Sequence, residues 1–276
     1  MVPRWLSVPA AIALAAGSLI VAAAGSASAT AAAHPGTTSV RPGGNTKGFV
    51  PGGLMKRPAG AQVKRHGKYY QEESTNWSGY AANGGDGSFN SVSASWTQPA
   101  ATCDDGGDEY AAFWVGLDGY NSDSVEQTGT DSDCSGGSPD YYGWYEMYPA
   151  DPVYFTNPVQ PGDSISASVT FTGSDTYTLV LTDSTEDWTQ TETEHESGLA
   201  NSSAEVITEA PSSEFGPLPL ADFGTINYSG STANGATMSS QNPAQIIMVG
   251  SSGDELDNTS SMDGSGDFSN IWDAES

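Results

Sequence analysis

The sequence predicts an all-β protein over residues 71–276, an antiparallel sandwich or barrel. Two observations carry that expectation. Short runs of alternating apolar and polar residues recur along this stretch, each bounded by Gly, Asp, Ser or Asn. No amphipathic pattern long enough for a ten-residue helix interrupts them. A stretch of about 200 residues is an ordinary size for one such domain.

The runs fall at 91–96, 111–117, 165–172, 176–182, 204–209 and 244–249. Their period of two matches the way a strand turns successive side chains to opposite faces. Gly173-Ser174-Asp175 joins the third run to the fourth as a hairpin, since these small residues tolerate the left-handed backbone of a tight turn. The tail from Ser251, rich in Gly, Ser and Asp, reads as loops around a last strand near 268–272. No internal repeat is present.

Charge is segregated along the chain. Arg4, Arg41, Lys47, Lys56, Arg57, Lys64, Arg65 and Lys68 are the only basic residues besides His, and all 34 Asp and Glu follow them. Average composition would place roughly 25 Lys and Arg in the second part. A domain without them cannot form Lys or Arg salt bridges, grip phosphate with side-chain cations or use a catalytic lysine. Nucleic acid is excluded as a partner by like charge. Self-repulsion penalises the compact state near neutral pH and favours a monomer. Acid discharges the carboxylates, and few cation pairs are lost with them. The expectation is a protein that works in acid; a halophilic or merely acidic surface is the alternative.

Residues 1–29 read as a secretory signal, with Arg4 at the start, an apolar run from Leu6 to Gly25 and Ala27-Ser28-Ala29 as the cleavage site. The apolar run approaches spanning length, but Pro9, Ser18 and the cleavage site favour removal. The expected location is extracellular, with no membrane association after the cut. Residues 30–70 are basic and rich in Gly, Pro and Ala, too poor in large apolar groups to fold alone. They are either a linker or a pro-segment, held to the acidic domain near neutral pH and released in acid. Cys103 and Cys134 lie in the exported part, so a disulfide is the default. Asn76, Asn201, Asn227 and Asn258 head glycosylation triplets.

The chemistry narrows by elimination. His195 is the only His beyond residue 68, and neither a Gly-x-Ser-x-Gly elbow nor a His-Glu-x-x-His motif is present. No metal or cofactor is expected. Carboxylates assisted by amides, hydroxyls and aromatic rings remain, which suits acid peptide hydrolysis or glycoside hydrolysis. Glu192, Glu194 and Glu196 alternate on one strand face; they are either a glycosidase's carboxylates or a solvated surface. A secreted sugar-binding sandwich without catalysis is a third reading.

Five strings occur in order: Asn76-Trp77-Ser78-Gly79, Phe113-Trp114-Val115-Gly116-Leu117-Asp118-Gly119, Glu126-Gln127-Thr128-Gly129, Trp144-Tyr145-Glu146-Met147-Tyr148-Pro149 and Ala204-Glu205-Val206-Ile207-Thr208-Glu209. In order and approximate spacing they resemble the eqolisin family of glutamic peptidases. The resemblance spans about Ser74 to Val249. It implies a sandwich of two antiparallel sheets of the concanavalin A-like lectin/glucanase type, secretion with a pro-segment, protein substrates and an acid working range.

By position, Gln127 matches the family's catalytic glutamine and Glu209 its catalytic glutamate. Trp77, Trp114, Asp118, Asp131 and Glu146 match site-lining positions. Glu205 stands four residues before Glu209, on the same side of a strand with Ile207 between, as a neighbour that tunes or frames it. The implied mechanism is direct attack by water, with Glu209 as general base and Gln127 stabilising the oxyanion. A buried Glu near other carboxylates is expected to have a raised pKa, and the rate to fall towards neutrality. Val206, Thr130 and Ala210-Pro211 depart from the family pattern and bear on the substrate subsites.

Overall fold

The computed structural model describes Met1 and residues 37–38, 53–61, 63–66, 69–103 and 106–276. The rest of the signal sequence and residues 30–36, 39–52, 62 and 67–68 of the basic segment lie outside the described residues. Contacts separate Met1–Ala33 from His34–Ser276, and the fold is that of the second unit.

Five strands carry the site and are labelled in chain order: β1 (Trp77–Asn83), β2 (Ala112–Leu117), β3 (Val125–Ser135), β4 (Ser138–Tyr148) and β5 (Ser203–Glu209). They pair antiparallel in the spatial order β1, β5, β2, β3, β4. Ala244–Val249 extends this sheet beyond β1, and Tyr69–Ser74 pairs parallel to it. The second sheet runs Trp188–His195, Thr176–Asp183, Ser164–Gly173, Ser91–Thr97, Thr225–Ala233, Phe268–Trp272, Glu255–Thr259. At one edge Glu255–Thr259 also pairs with Ala244–Val249, so the hydrogen-bonded ladder passes from one sheet into the other.

The two sheets pack into a β-sandwich. Tyr80, Val92, Phe113, Val115, Val169, Leu181 and Val206 belong to the main core between them. A second apolar cluster, with Trp77, Trp114, Val125, Trp144 and Ile207, covers the other face of the first sheet. Both faces of that sheet are therefore shielded from water. Every residue of β2 and of β5 is buried, which is why their sequences lack the clean apolar-polar alternation of a half-exposed strand.

Each strand expected from the sequence is present, within one residue at either end. The Gly173-Ser174-Asp175 hairpin is formed, with φ of 91°, 52° and 57° at the three residues. Cys103 and Cys134 form a disulfide with Cα atoms 5.5 Å apart. One expectation is corrected: Glu192 is buried and Glu194 half-buried, because this face of Trp188–His195 turns inward while Thr189, Thr191, Thr193 and His195 face solvent. Glu196 follows the strand's end and is exposed.

Candidate active site

The outer face of the first sheet gathers the acidic and amide side chains. Gln127 on β3 registers with Gly116 on β2 and with Glu146 on β4. Gly116 in turn registers with Glu205 on β5. Glu209 lies four residues further along β5, paired with Trp77 on one side and Ala112 on the other. Trp114, two residues before Gly116, occupies the diagonal between Gln127 and Glu209.

Glu209 is fully buried and ringed by donors. Its Oε2 accepts from Trp114 Nε1 at 3.0 Å, and its Oε1 accepts from Asn76 Nδ2 at 3.3 Å and Gly53 N at 2.9 Å. Trp77 packs edge-on against Trp114, ring centroids 4.9 Å apart. Trp77 Nε1 stands near the carboxyl but makes no well-aligned hydrogen bond. Burial pushes the Glu209 carboxyl up to about 8, against the opposing pull of these donors.

Gln127 Nε2 donates to Glu146 Oε2 at 2.6 Å, while Gln127 Oε1 has no hydrogen-bond partner. Burial holds Glu146 well above the carboxylate range, and the nearness of Glu209 adds to the shift. Glu146 is thus bonded to one expected catalytic residue and within electrostatic reach of the other. Gly116 leaves room for the arrangement: a Cβ there would come within 2.9 Å of Trp114 Cζ3 and 3.2 Å of Gln127 Cβ.

The remaining expected residues split into two groups. Asp131 Oδ1 accepts from Trp144 Nε1 at 2.6 Å and fixes that ring in the outer cluster. Asp118, at φ 69°, is bonded to a turn and not to the pair. Its carboxylate accepts from Asn201 N at 2.6 Å, Ser202 N at 2.8 Å and Ser202 Oγ at 3.0 Å, pinning the turn that leads into β5. Glu205 shares the face of Glu209, but the charges that act on it are Asp118 and Glu126. Burial raises it well above the usual range, the Ser203 hydroxyl opposes this and those two carboxylates add to it. Burial, then Asp118, raises Glu126 to about 9.

Residues Gly53–Lys56 lie across the site, which the sequence alone did not indicate. Asn76 Nδ2 donates to Leu54 O at 3.1 Å, Met55 N to Gly119 O at 3.2 Å, Lys56 N to Asn76 Oδ1 at 2.8 Å and Thr75 N to Lys56 O at 2.8 Å. Met55 is 8% exposed and joins the Trp77–Trp114 cluster. Arg57 pairs with Glu72 at 3.1 Å and lies 4.6 Å over the Tyr120 ring, and Lys64 pairs with Glu73 at 3.1 Å. Burial lowers the Lys56 pKa, and Glu209 counteracts part of that shift. Asn76, which the sequence marks only as part of a string and a glycosylation triplet, is buried with its amide engaged at both ends.

The family model of the peptidase A4 family matches residues 75–270. Among solved structures the chain is similar to scytalido-glutamic peptidase with a transition-state analogue inhibitor: TM-score 0.61, 23% identity, covering 72% of this chain and 98% of that one. It is similar also to SCP-B, described as a member of the eqolisin family, in a complex with the tripeptide Ala-Ile-His: TM-score 0.58, 24% identity, covering 72% and 98%. Aspergilloglutamic peptidase from Aspergillus niger matches with TM-score 0.52 and 26% identity, covering 59% of this chain and 99% of that one. No curated protein matches the chain by sequence.

Proposed function

Because the chain belongs to the peptidase A4 family and is an acid endopeptidase of the glutamic type, we propose that Gln127 and Glu209 are its catalytic pair. The observation that carries this reading is the hydrogen bond from Gly53 N to Glu209 Oε1. A peptide amide bound in the cleft meets the Glu209 carboxylate where a leaving amine must be protonated.

The two side chains divide the chemistry between them. Glu209 takes a proton from a water molecule as its oxygen adds to the scissile carbonyl carbon. Gln127 Oε1, free of other partners, accepts from that water, and its second Nε2–H stabilises the oxyanion. The C–N bond then breaks, and the proton on Glu209 passes to the departing nitrogen, leaving a carboxylic acid and an amine. Glu146 holds the Gln127 amide in this orientation and is a positioning residue. A neutral amide keeps its donors at any pH, which suits work in acid.

We further propose that residues 1–29 direct secretion and that the basic segment 30–70 keeps the enzyme latent. Support comes from Gly53–Lys56 lying on Glu209, with Arg57–Glu72 and Lys64–Glu73 fastening the chain just beyond it. Departure of the segment admits water to Glu209, relieves the burial that raises its pKa and lets it ionise as a base.

Hydrolysis of an unfolded protein from pH 2 to 7, by the secreted protein and by Glu209→Gln, tests the reading. Acid activity that vanishes in the variant supports it. A wild type that cleaves nothing after verified loss of the basic segment overturns it.

A further inference from the structure

The peptide segment in the cleft also shows how a substrate would be read. Gly53 N meets Glu209 as the leaving amine of a cut peptide would. Gly53, Leu54, Met55 and Lys56 then stand where the first four residues after the scissile bond would lie. Resting on the peptidase reading above, we propose that the enzyme selects an apolar side chain of Met or Leu size at the third residue after the cut, in the space Met55 fills.

The other positions give less basis for selection: Leu54 packs against the same cluster but is only partly buried. A Cβ on Gly53 would meet only Glu209 Oε1, at 3.9 Å, an ordinary contact. The first position therefore admits side chains without steric choice. Leu54 O, Met55 N, Lys56 N and Lys56 O are all engaged through the main chain, by Asn76, Gly119 and Thr75. Any peptide can make these bonds, so they set direction and register without reading sequence.

The third side chain is different. Met55 is 8% exposed, more buried than the Leu54 and Lys56 side chains on either side, within the cluster that includes Trp77, Trp114 and Tyr120. Burying an apolar side chain of this size gains its transfer free energy, whereas a polar one gives up hydration among apolar and aromatic side chains. The flexible thioether stem follows an aromatic wall readily, and Leu offers similar volume.

Two readouts test the subsite. The first is the set of cuts made in an unfolded protein by acid-incubated wild type, mapped by mass spectrometry. Met and Leu should be enriched several-fold at the third residue after the cut, and Gly, Ser and Asn depleted. The second is the lag before hydrolysis begins when the full chain is moved to acid. Met55→Ser should shorten it several-fold, and Met55→Leu should preserve it. Hydrolysis with background composition at the third position overturns the subsite and leaves the peptidase reading standing. So does an unchanged lag in Met55→Ser. No cleavage at all by wild type overturns both together.

Discussion

The backbone amide of Gly53 donates to Glu209 Oε1 at 2.9 Å, across 156 residues of sequence. The carboxyl proposed as the catalytic base is thus covered by the chain's own basic segment. The proposed latency and the proposed direction of a bound peptide both rest on this one hydrogen bond, which itself opposes the upward shift that burial gives Glu209.

Glu209→Gln removes the group proposed to take and return the proton, so hydrolysis should fall by at least about 10²–10⁴-fold. The fold of the full chain should survive in acid, because with the segment in place the buried carboxyl it replaces is raised to about 8 and is neutral there. Activity in acid alongside a thermal melt by circular dichroism separates loss of chemistry from loss of structure.

Gly116→Ala places a methyl group 2.9 Å from Trp114 Cζ3 and 3.2 Å from Gln127 Cβ. The indole that donates to Glu209 and the amide paired with Glu146 must both shift. A misplacement of about 1 Å at a catalytic group lowers rate by roughly 10²-fold. The expected result is a kcat loss of that order with KM little changed, read from steady-state kinetics on a peptide substrate.

Stability should decrease with pH. Burial raises Glu126 from 4.5 to about 9, Glu209 from 4.5 to about 8 and Asp257 from 3.8 to about 8, and raises Glu146 and Glu205 as well. A carboxyl whose folded pKa exceeds its unfolded value contributes stability fully present below the unfolded pKa. That contribution is lost as pH rises through the folded pKa. The window therefore runs from about 4 to 9, and Tm should fall by roughly 10 °C or more across it. Glu126→Gln should flatten the upper part of the curve. A Tm that rises from pH 4 to 8 would contradict the account.

Asp118→Ala leaves the amides of Asn201 and Ser202 and the Ser202 hydroxyl without their shared acceptor. Stranding buried donors costs about 1–3 kcal/mol each at most sites, more when the acceptor was charged. A loss of several kcal/mol in denaturant unfolding is expected. If Asp118 instead contacted substrate, KM would rise while stability held.

Replacing Cys103 and Cys134 by Ala frees a loop set by their separation of 31 residues. The loop-entropy relation puts the loss at about 3–4 kcal/mol, or roughly 10 °C in Tm for a domain of this size. Melts with and without reductant check this, and reductant should not alter the variant.

Legibility differed from strand to strand. Ser164–Gly173 and Thr176–Asp183 alternate buried and less buried residues over most of their length, and local pattern alone revealed them. Val125–Ser135 is nearly all buried yet polar, with Glu126, Gln127, Thr128, Thr130, Asp131, Ser132 and Asp133 inside. Hydrophobic periodicity has nothing to register there, and only its motif pointed to it. The inward turn of Glu192 was missed for the same reason: a carboxylate reads as surface until packing shows otherwise.

By itself the sequence determined the fold class, the separation of basic from acidic charge and the presence of both cysteines in one domain. Through its ordered strings it also pointed to Gln127 and Glu209. Tertiary structure alone decided that Gln127 faces Glu205 across Gly116 while Glu209 lies on the diagonal, that Asp118 holds backbone and that Gly53 covers the Glu209 carboxyl. Composition and period are local properties of a chain and survive in its letters. Register, burial of a charge and docking of a distant segment arise from pairings 83, 133 and 156 residues apart. No local pattern records these pairings, because they are chosen by the closing of the sheets.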